Sequence, residues 1–471
     1  MLFNTIEYVI FLPLVIILYY LIPFKYRWGF LLAASYYFYM SWKVEYIFLI
    51  IFSTLVDYIA GRRMGRLPDM KSRRPWLILS LVTNLGLLFA FKYFNFAADN
   101  LNLLFQKFNI LYQLPAMKVL LPVGISFYTF QTLSYSIDVF YGRQKPEKHL
   151  GYFALYVAYF PQLVAGPIER FSRLTPQLKS KQTFTYSNLA NGLRLILYGL
   201  FIKMVIADNL SGLVDKVYSS PESFDNISIL KAMFFYSFQI YSDFYGYSII
   251  AIGSALIMGV RIMDNFNTPY LSKNVSEFWQ RWHISLSTWF RDYLYYPLGG
   301  NRAAKGRWMF NIFVVFVVSG FWHGANWTFI IWGSLFGIIY LIEKEINKRF
   351  NLIKTYKPFS IGHILLALKT FILVTLIWVF FRSQSFNDAM NIFALAFKSS
   401  RLKTTALIIP VSTWIFLAIF IISDILLYNK RFDKHIGSLP MAVRWTIYSI
   451  LIFAVVVFAG VENFPFIYFQ F

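Results

Sequence analysis

Apolar residues in this chain come in long runs separated by short polar stretches. Nine runs, at 5–22, 28–42, 45–60, 75–94, 190–206, 228–259, 360–382, 404–428 and 445–461, approach or exceed the roughly 20 residues a helix needs to cross a hydrocarbon core. Less regular apolar stretches lie at 118–141, 150–165 and 308–342. The pattern predicts an all-α polytopic membrane protein with roughly a dozen embedded helical segments and the lipid bilayer as its solvent. No polar stretch is long enough to build an independent core, so residues 1–471 read as one integrated membrane domain.

Three regions break the plain spanning pattern. Leu120 to Gly142 carries Pro122 and Gly124 at its start and Gln131 and Asp138 at membrane depth. Tyr159 to Pro167, YFPQLVAGP, is too short on either side of Pro161 to cross alone. Irregular backbone at that depth needs protein or a wet cavity around it, so both segments read as re-entrant. Helix breaks are also common as purely structural features.

The third region, Asn265 to Gly337, holds most of the polar chemistry. Read as one helix, Gln280, His283, Ser287 and Arg291 fall at offsets of three and four and share a face, while Trp282, Leu286, Trp289 and Tyr293 share another. Pro297, Gly299 and Gly300 end that helix. The solvated face of an interfacial helix gives the same spacing. Further on, His323 lies between Trp322 and Gly324, with Asn326 and Trp327 close behind. An imidazole among aromatic residues in an apolar frame must be hydrogen-bonded or line a wet cavity. Asp243, in the stretch QIYSDFYGYS, adds an intramembrane carboxylate that either orients a basic group, binds substrate or anchors packing.

Composition narrows the function. The chain is 58% hydrophobic and 14% charged, with a net charge of +22. Its basic residues fall in short loops rather than along one groove-sized face, which argues for the positive-inside rule and against a nucleic-acid partner. Arg62, Arg63, Arg66, Lys71, Arg73 and Arg74 mark the cytoplasmic side. So do Lys344, Lys348, Arg349, Lys354 and Lys357, and Lys430, Arg431, Lys434 and Arg444. The acidic stretch 207–226 reads as extracytoplasmic. Counting crossings then puts the N-terminus and the tail from Pro465 to Phe471 outside, in a multi-pass protein of the cytoplasmic (inner) membrane. The first run reads as a retained span. There is no cysteine, which excludes a thiol nucleophile and thiolate metal sites. His283 and His323 lack HExxH spacing, so no metal is expected.

The stretches RWHISLSTWFRDYLYYPLGGNR from Arg281, FWHGANWTFIIWG from Phe321, YFPQLVAGPIER from Tyr159 and DFYGYS from Asp243 together resemble the membrane-bound O-acyltransferase family. Within it, the chain looks most like the alginate O-acetylation branch, with core motifs at about 118–342; D-alanyl transferases of cell-wall polymers share the tryptophan–histidine motifs. After GYS the family commonly carries a polar residue, where this chain has Ile249. The resemblance implies a ring of transmembrane and re-entrant helices around a central tunnel. It assigns His323 to the catalytic histidine and His283 to the second motif position. No permanently bound cofactor is implied, only an acyl thioester co-substrate, acetyl-CoA or an acyl carrier.

The expected chemistry is transfer of an acyl group, acetyl by the resemblance, from a cytoplasmic thioester to hydroxyls of an extracytoplasmic polysaccharide, or to a secreted acetyltransferase partner that completes the transfer. His323 is the expected base. Asn326, Trp322 or Trp327 would stabilise the oxyanion, and His283 with Arg291 would position the donor or relay protons, with Ser287, Gln131 and Asp243 as substrate or tunnel candidates. The alternatives are a D-alanyl-type transferase and a polysaccharide export channel with a histidine proton relay.

Overall fold

A computed structural model describes residues 1–117, 120–164, 166–350, 356–398, 405–460 and 466–467. Lys118 and Val119 at the start of the 118–141 stretch, Ala165, Lys354, Thr404 and Val461 lie outside the described residues. So does the tail from Pro465, apart from Phe466 and Ile467. Every regular element among the described residues is helical, and the strand-like pairing there is an isolated bridge between Phe224 and Thr405.

The chain packs as two compact units: Met1–Gly192 with Ala251–Met263, and Leu193–Ile250 with Asp264–Phe471. The first holds α1 (Ile6–Leu21), α2 (Phe24–Met40), α3 (Ile47–Met64), α4 (Met70–Leu88), α5 (Phe94–Lys107), α6 (Ile125–Phe140), α7 (Leu150–Ala158), α8 (Phe160–Leu163) and α9 (Phe171–Lys179). Then come α10 (Tyr186–Leu200), α11 (Asp208–Ser219), α12 (Asn226–Ile257), α13 (Val275–Arg281), α14 (Ile284–Phe290), α15 (Lys305–His323) and α16 (Trp327–Phe350). The chain closes with α17 (Ile361–Arg382), α18 (Phe386–Ala396), α19 (Val411–Leu426), α20 (Phe432–Gly437) and α21 (Met441–Phe458).

Six helical stretches among the described residues are long and apolar enough to cross a membrane: Val44–Met64, Met70–Lys107, Tyr186–Ser219, Asn226–Ile257, Ile361–Arg382 and Met441–Phe458. Two shorter apolar helices are Ile6–Leu21 and Val411–Leu426. The chain is thus a multi-pass membrane protein. Of the 18 residues in its most apolar window, 94% are buried in Asn226–Ile257 and only 11% in Met441–Phe458, so the first serves as packing core and the second presents its apolar side chains to lipid.

Local signals set the helix ends. Asp69 accepts the Ser72 N–H at 2.8 Å to start α4, and Asn274 accepts the Glu277 N–H at 2.8 Å to start α13, each satisfying a donor that the first turn leaves open. Gly124 is left-handed at φ 76° immediately before α6, and a Cβ there would strike the Leu163 carbonyl. Pro122 and Gly124 therefore do break the chain where the pattern indicates. Helices α7 and α8 are nine and four residues long, with Phe153–Ala158 and all of α8 buried, and are too short to cross.

Inside the second unit, α15 and α16 form an antiparallel hairpin whose crossing depends on glycine. A Cβ on Gly320 would run into the Phe329 carbonyl oxygen, and one on Gly333 into that of Phe316. A Cβ on Gly337 would meet only side-chain and Cα carbons of the partner helix, the nearest at 3.2 Å. Small residues let membrane helices approach closely where no hydrophobic force drives them together. Gly333→Ala is expected to destabilise the purified protein by about 3 kcal/mol, at the upper end of overpacking costs, and Gly337→Ala by about 1 kcal/mol or less. Thermal unfolding in detergent reads the difference.

Candidate active site

The single amphipathic helix expected around His283 does not form. Trp282 is extended, His283 is left-handed (φ 44°, ψ 53°), and the chain splits into α13 and α14 on either side. The shared face of Gln280, His283, Ser287 and Arg291 is therefore divided: Gln280 and Arg291 are exposed, Ser287 is half-buried and His283 is wholly enclosed. Helical spacing misreads the segment because one residue in the left-handed region turns the axis.

Asn265 holds the elbow. Its carbonyl accepts the Ile284 N–H at 2.9 Å. Its side-chain oxygen accepts the Ser285 N–H at 3.2 Å and the Ser285 hydroxyl at 2.6 Å. The His283 carbonyl accepts the Ser287 N–H at 3.0 Å to begin α14. Sequence reasoning does not single out Asn265 and Ser285, since they lie far apart along the chain and their pairing leaves no local mark.

His323 ends α15, where Gly324 leaves the helix in an extended conformation (φ −160°). A Cβ on Gly324 would collide with the Phe329 ring, so glycine allows the turn into α16 to close tightly over the histidine. The His323 ring lies 4.9 Å from Trp322, 5.0 Å from Trp332 and 5.4 Å from Phe381, all near edge-on. The His283 ring is 6.4 Å from that of His323, 6.2 Å from Trp322 and 4.6 Å edge-on from Phe244. Both histidines are enclosed, at 0% and 2% exposure. Neither α13 nor α14 spans the membrane, and burial pushes the His283 imidazole down to about 3. A ring so placed is neutral at physiological pH and suited to hydrogen bonding rather than to carrying charge.

Of the expected site residues, the structure brings together His283, His323 and Trp322. Asn326 caps α16 by accepting the Thr328 N–H at 3.1 Å and donates to the Gln384 carbonyl at 2.7 Å. Trp327 is 55% exposed. Ser287 donates to the Trp282 carbonyl, and Arg291 pairs with Asp292 at 2.9 Å. Asp243 takes the Lys203 ammonium at 2.7 Å, and Lys203 also reaches Asp208 at 2.6 Å. The acidic stretch from 207 thus begins with a buried ion-pair partner. In the first unit, Gln131 and Gln162 both donate to the Tyr156 carbonyl, which ties α6 to the α7–α8 break. Two of the other three histidines have local work: His149 caps α7, and His363 accepts the Phe359 N–H at 2.8 Å.

Trp332, Trp378, Phe381 and Phe244 complete the aromatic wall, with Trp332 stacked on Trp378 at 5.6 Å. Of these only Trp332 and Phe244 lie inside the sequence motifs, and the aromatic excess of the chain does not say which rings face a histidine.

A multi-pass helical protein that encloses two histidines in an aromatic wall, one at the mouth of a helical hairpin and one in a left-handed elbow, has the features of a membrane acyltransferase. Residues 143–383 match the membrane-bound O-acyltransferase family, and this chain belongs to that family: it is an O-acyltransferase. It is 41% identical over 390 residues to the probable alginate O-acetylase of Azotobacter vinelandii, covering 82% of this chain and 76% of the relative. It is 36% identical over 391 residues to the peptidoglycan O-acetyltransferase of Helicobacter pylori, covering 77% and 72%. The teichoic acid D-alanyltransferase of Bacillus subtilis is 30% identical over 244 residues, covering 49% and 61%.

Replacing Asn265 by alanine removes the acceptor of two hydrogen bonds to Ser285 and leaves a buried hydroxyl and amide open. A loss of about 2 kcal/mol of stability is expected, read as a lower unfolding temperature, together with reduced activity. Asn265→Asp, which keeps the acceptor, is expected to lose less.

Proposed function

We propose that this chain transfers an acetyl group from a cytoplasmic thioester to hydroxyls of an extracytoplasmic polysaccharide, with His323 and His283 at the centre of the reaction. The observation that carries the reading is the pair of enclosed histidine rings whose centroids lie 6.4 Å apart, close enough for both to act on one bound group. The names of the similar acetyltransferases favour acetyl as the group and a cell-surface glycan as the acceptor.

In this mechanism His323 accepts the proton of the acceptor hydroxyl as its oxygen attacks the thioester carbonyl. The carbon–sulfur bond then breaks, the thiolate leaves and takes up that proton, and the ester remains on the glycan. His283 hydrogen-bonds the acceptor or the donor carbonyl. Asn326 is committed to capping and Trp327 faces outward, which leaves the indole N–H groups of the buried wall to meet the developing oxyanion. Trp322 is one, and Trp332 another, its N–H having no acceptor among the described residues. Substituting His323 by alanine is expected to lower ester-linked acetate on extracellular glycans by about a hundredfold or more while glycan export continues. Full acetylation by a folded His323→Ala protein would refute the assignment.

The donor side of the proposal rests on a polar cavity of about 500 Å³ lined by Asn267, Lys273, Asn274, Gln280, Arg281 and Lys344, among others. It lies along α13, which leads directly to His283, and at the basic end of α16. By the distribution of basic residues this end faces the cytoplasm of a protein in the inner membrane, with the N-terminus outside. Glu277 pairs with Lys273 and Arg281, whereas Lys344 has no ion pair among the described residues and is available to a donor phosphate. Lys344→Glu is expected to raise the donor KM roughly tenfold with little change in kcat, the loss of one charge-assisted contact. Steady-state kinetics on membrane vesicles, with acetyl-CoA as donor, tests it.

A further inference from the structure

We infer that the C-terminal residues Phe466 and Ile467 are positioning residues for the histidine site, an inference that rests on the proposed role of His283. Both are buried, at 0% and 3% exposure. Their contacts converge on one face of α12. The Phe466 ring lies 5.6 Å from Phe244 and 4.7 Å from Tyr247, residues three apart and so neighbours on a helix surface. Phe244 is the ring set edge-on to His283 at 4.6 Å.

The adjacent backbone does related work. The Ile467 N–H donates to Asp243 Oδ2 at 2.7 Å, while Asp243 Oδ1 takes the Lys203 ammonium at 2.7 Å. Lys203 sits in a widened helical turn, Phe201–Ala207, and also reaches Asp208 at 2.6 Å. Gly246 brings α12 against this turn, since a Cβ there would press on the Gly199 carbonyl and on Lys203. A buried carboxylate needs donors at both oxygens. One comes from the lysine and the other from the tail.

The tail thereby fixes α12 at two consecutive positions: Asp243 through a hydrogen bond and Phe244 through its ring. Removing the Phe466 ring leaves a cavity behind Phe244 and frees that ring to move away from His283. The polar cavity along α13 and α16 contains neither tail residue, so the consequence falls on turnover and not on donor binding.

The test uses the full-length protein labelled with ¹³C,¹⁵N-histidine in lipid nanodiscs, with the His283 ring resonances assigned by loss in His283→Gln. Phe466→Ala is expected to shift the His283 resonances, leave those of His149 in place and lower ester-linked acetate in cells roughly tenfold, as a misplaced catalytic group does. Phe466→Leu, which refills the space, is expected to restore most of both. Phe453→Ala, which removes a ring that is 61% exposed, serves as the control without effect. Unchanged His283 resonances in Phe466→Ala, or a loss that Phe466→Leu fails to rescue, would overturn the inference. The two readings fail separately. Full activity in His283→Ala and His323→Ala removes the site itself, whereas loss of activity in both beside a silent Phe466→Ala removes only the role of the tail.

Discussion

Entering the left-handed region costs a residue with a Cβ about 1–2 kcal/mol, and His283 does so while wholly enclosed (φ 44°). Asn265 offsets the strain, its carbonyl and side-chain oxygens holding the start of α14, and the Phe244 ring packs against the imidazole. The rest of the site depends on that turn. It ends α13 in time for His283 to point inward, and it separates an exposed polar surface carrying Gln280 and Arg291 from an enclosed centre.

The second histidine reaches the same centre by a different device. His323 is the final residue of α15, and the α15–α16 hairpin brings it inward because Gly320 and Gly333 let two backbones approach at the crossing. One histidine is thus placed by a strained turn and the other by close helix packing. Two supports of unlike origin converge on rings whose centroids lie 6.4 Å apart, so neither ring is placed by a long loop. The Lys203–Asp243–Asp208 cluster extends the same logic, since charges in an apolar bundle are tolerated only when paired.

How much of the site is legible in the sequence depends on the range of the interactions involved. Trp322 and His323 lie together because they are neighbours in one motif. Motif proximity also groups Asn326 with them, yet at the start of a helix an asparagine is drawn to the open N–H groups of the first turn, and Asn326 caps α16. Trp327 begins that helix and points out. A helical period groups Ser287 and Arg291 with His283, and the turn at His283 interrupts that period. Asp243 reads as an intramembrane charge in need of a partner, but Lys203, distant along the chain, carries no local mark of being that partner.

Residue order alone marks a helical membrane protein, the chain breaks at Pro122, Gly124 and Pro161, the family, and the two histidines of the proposed site. All of these rest on properties that act over a few residues or a single span: hydropathy, backbone preference and motif. Folding in three dimensions is what brings the histidine rings to 6.4 Å, walls them in with Trp332, Phe381 and Phe244, gives Asn265 the elbow to hold and carries Ile467 to Asp243. Each of these joins segments distant along the chain, and in a bundle where most faces are apolar the residue pattern carries no register for which face meets which. Packing at the glycine crossing and the pairing of buried polar groups supply it.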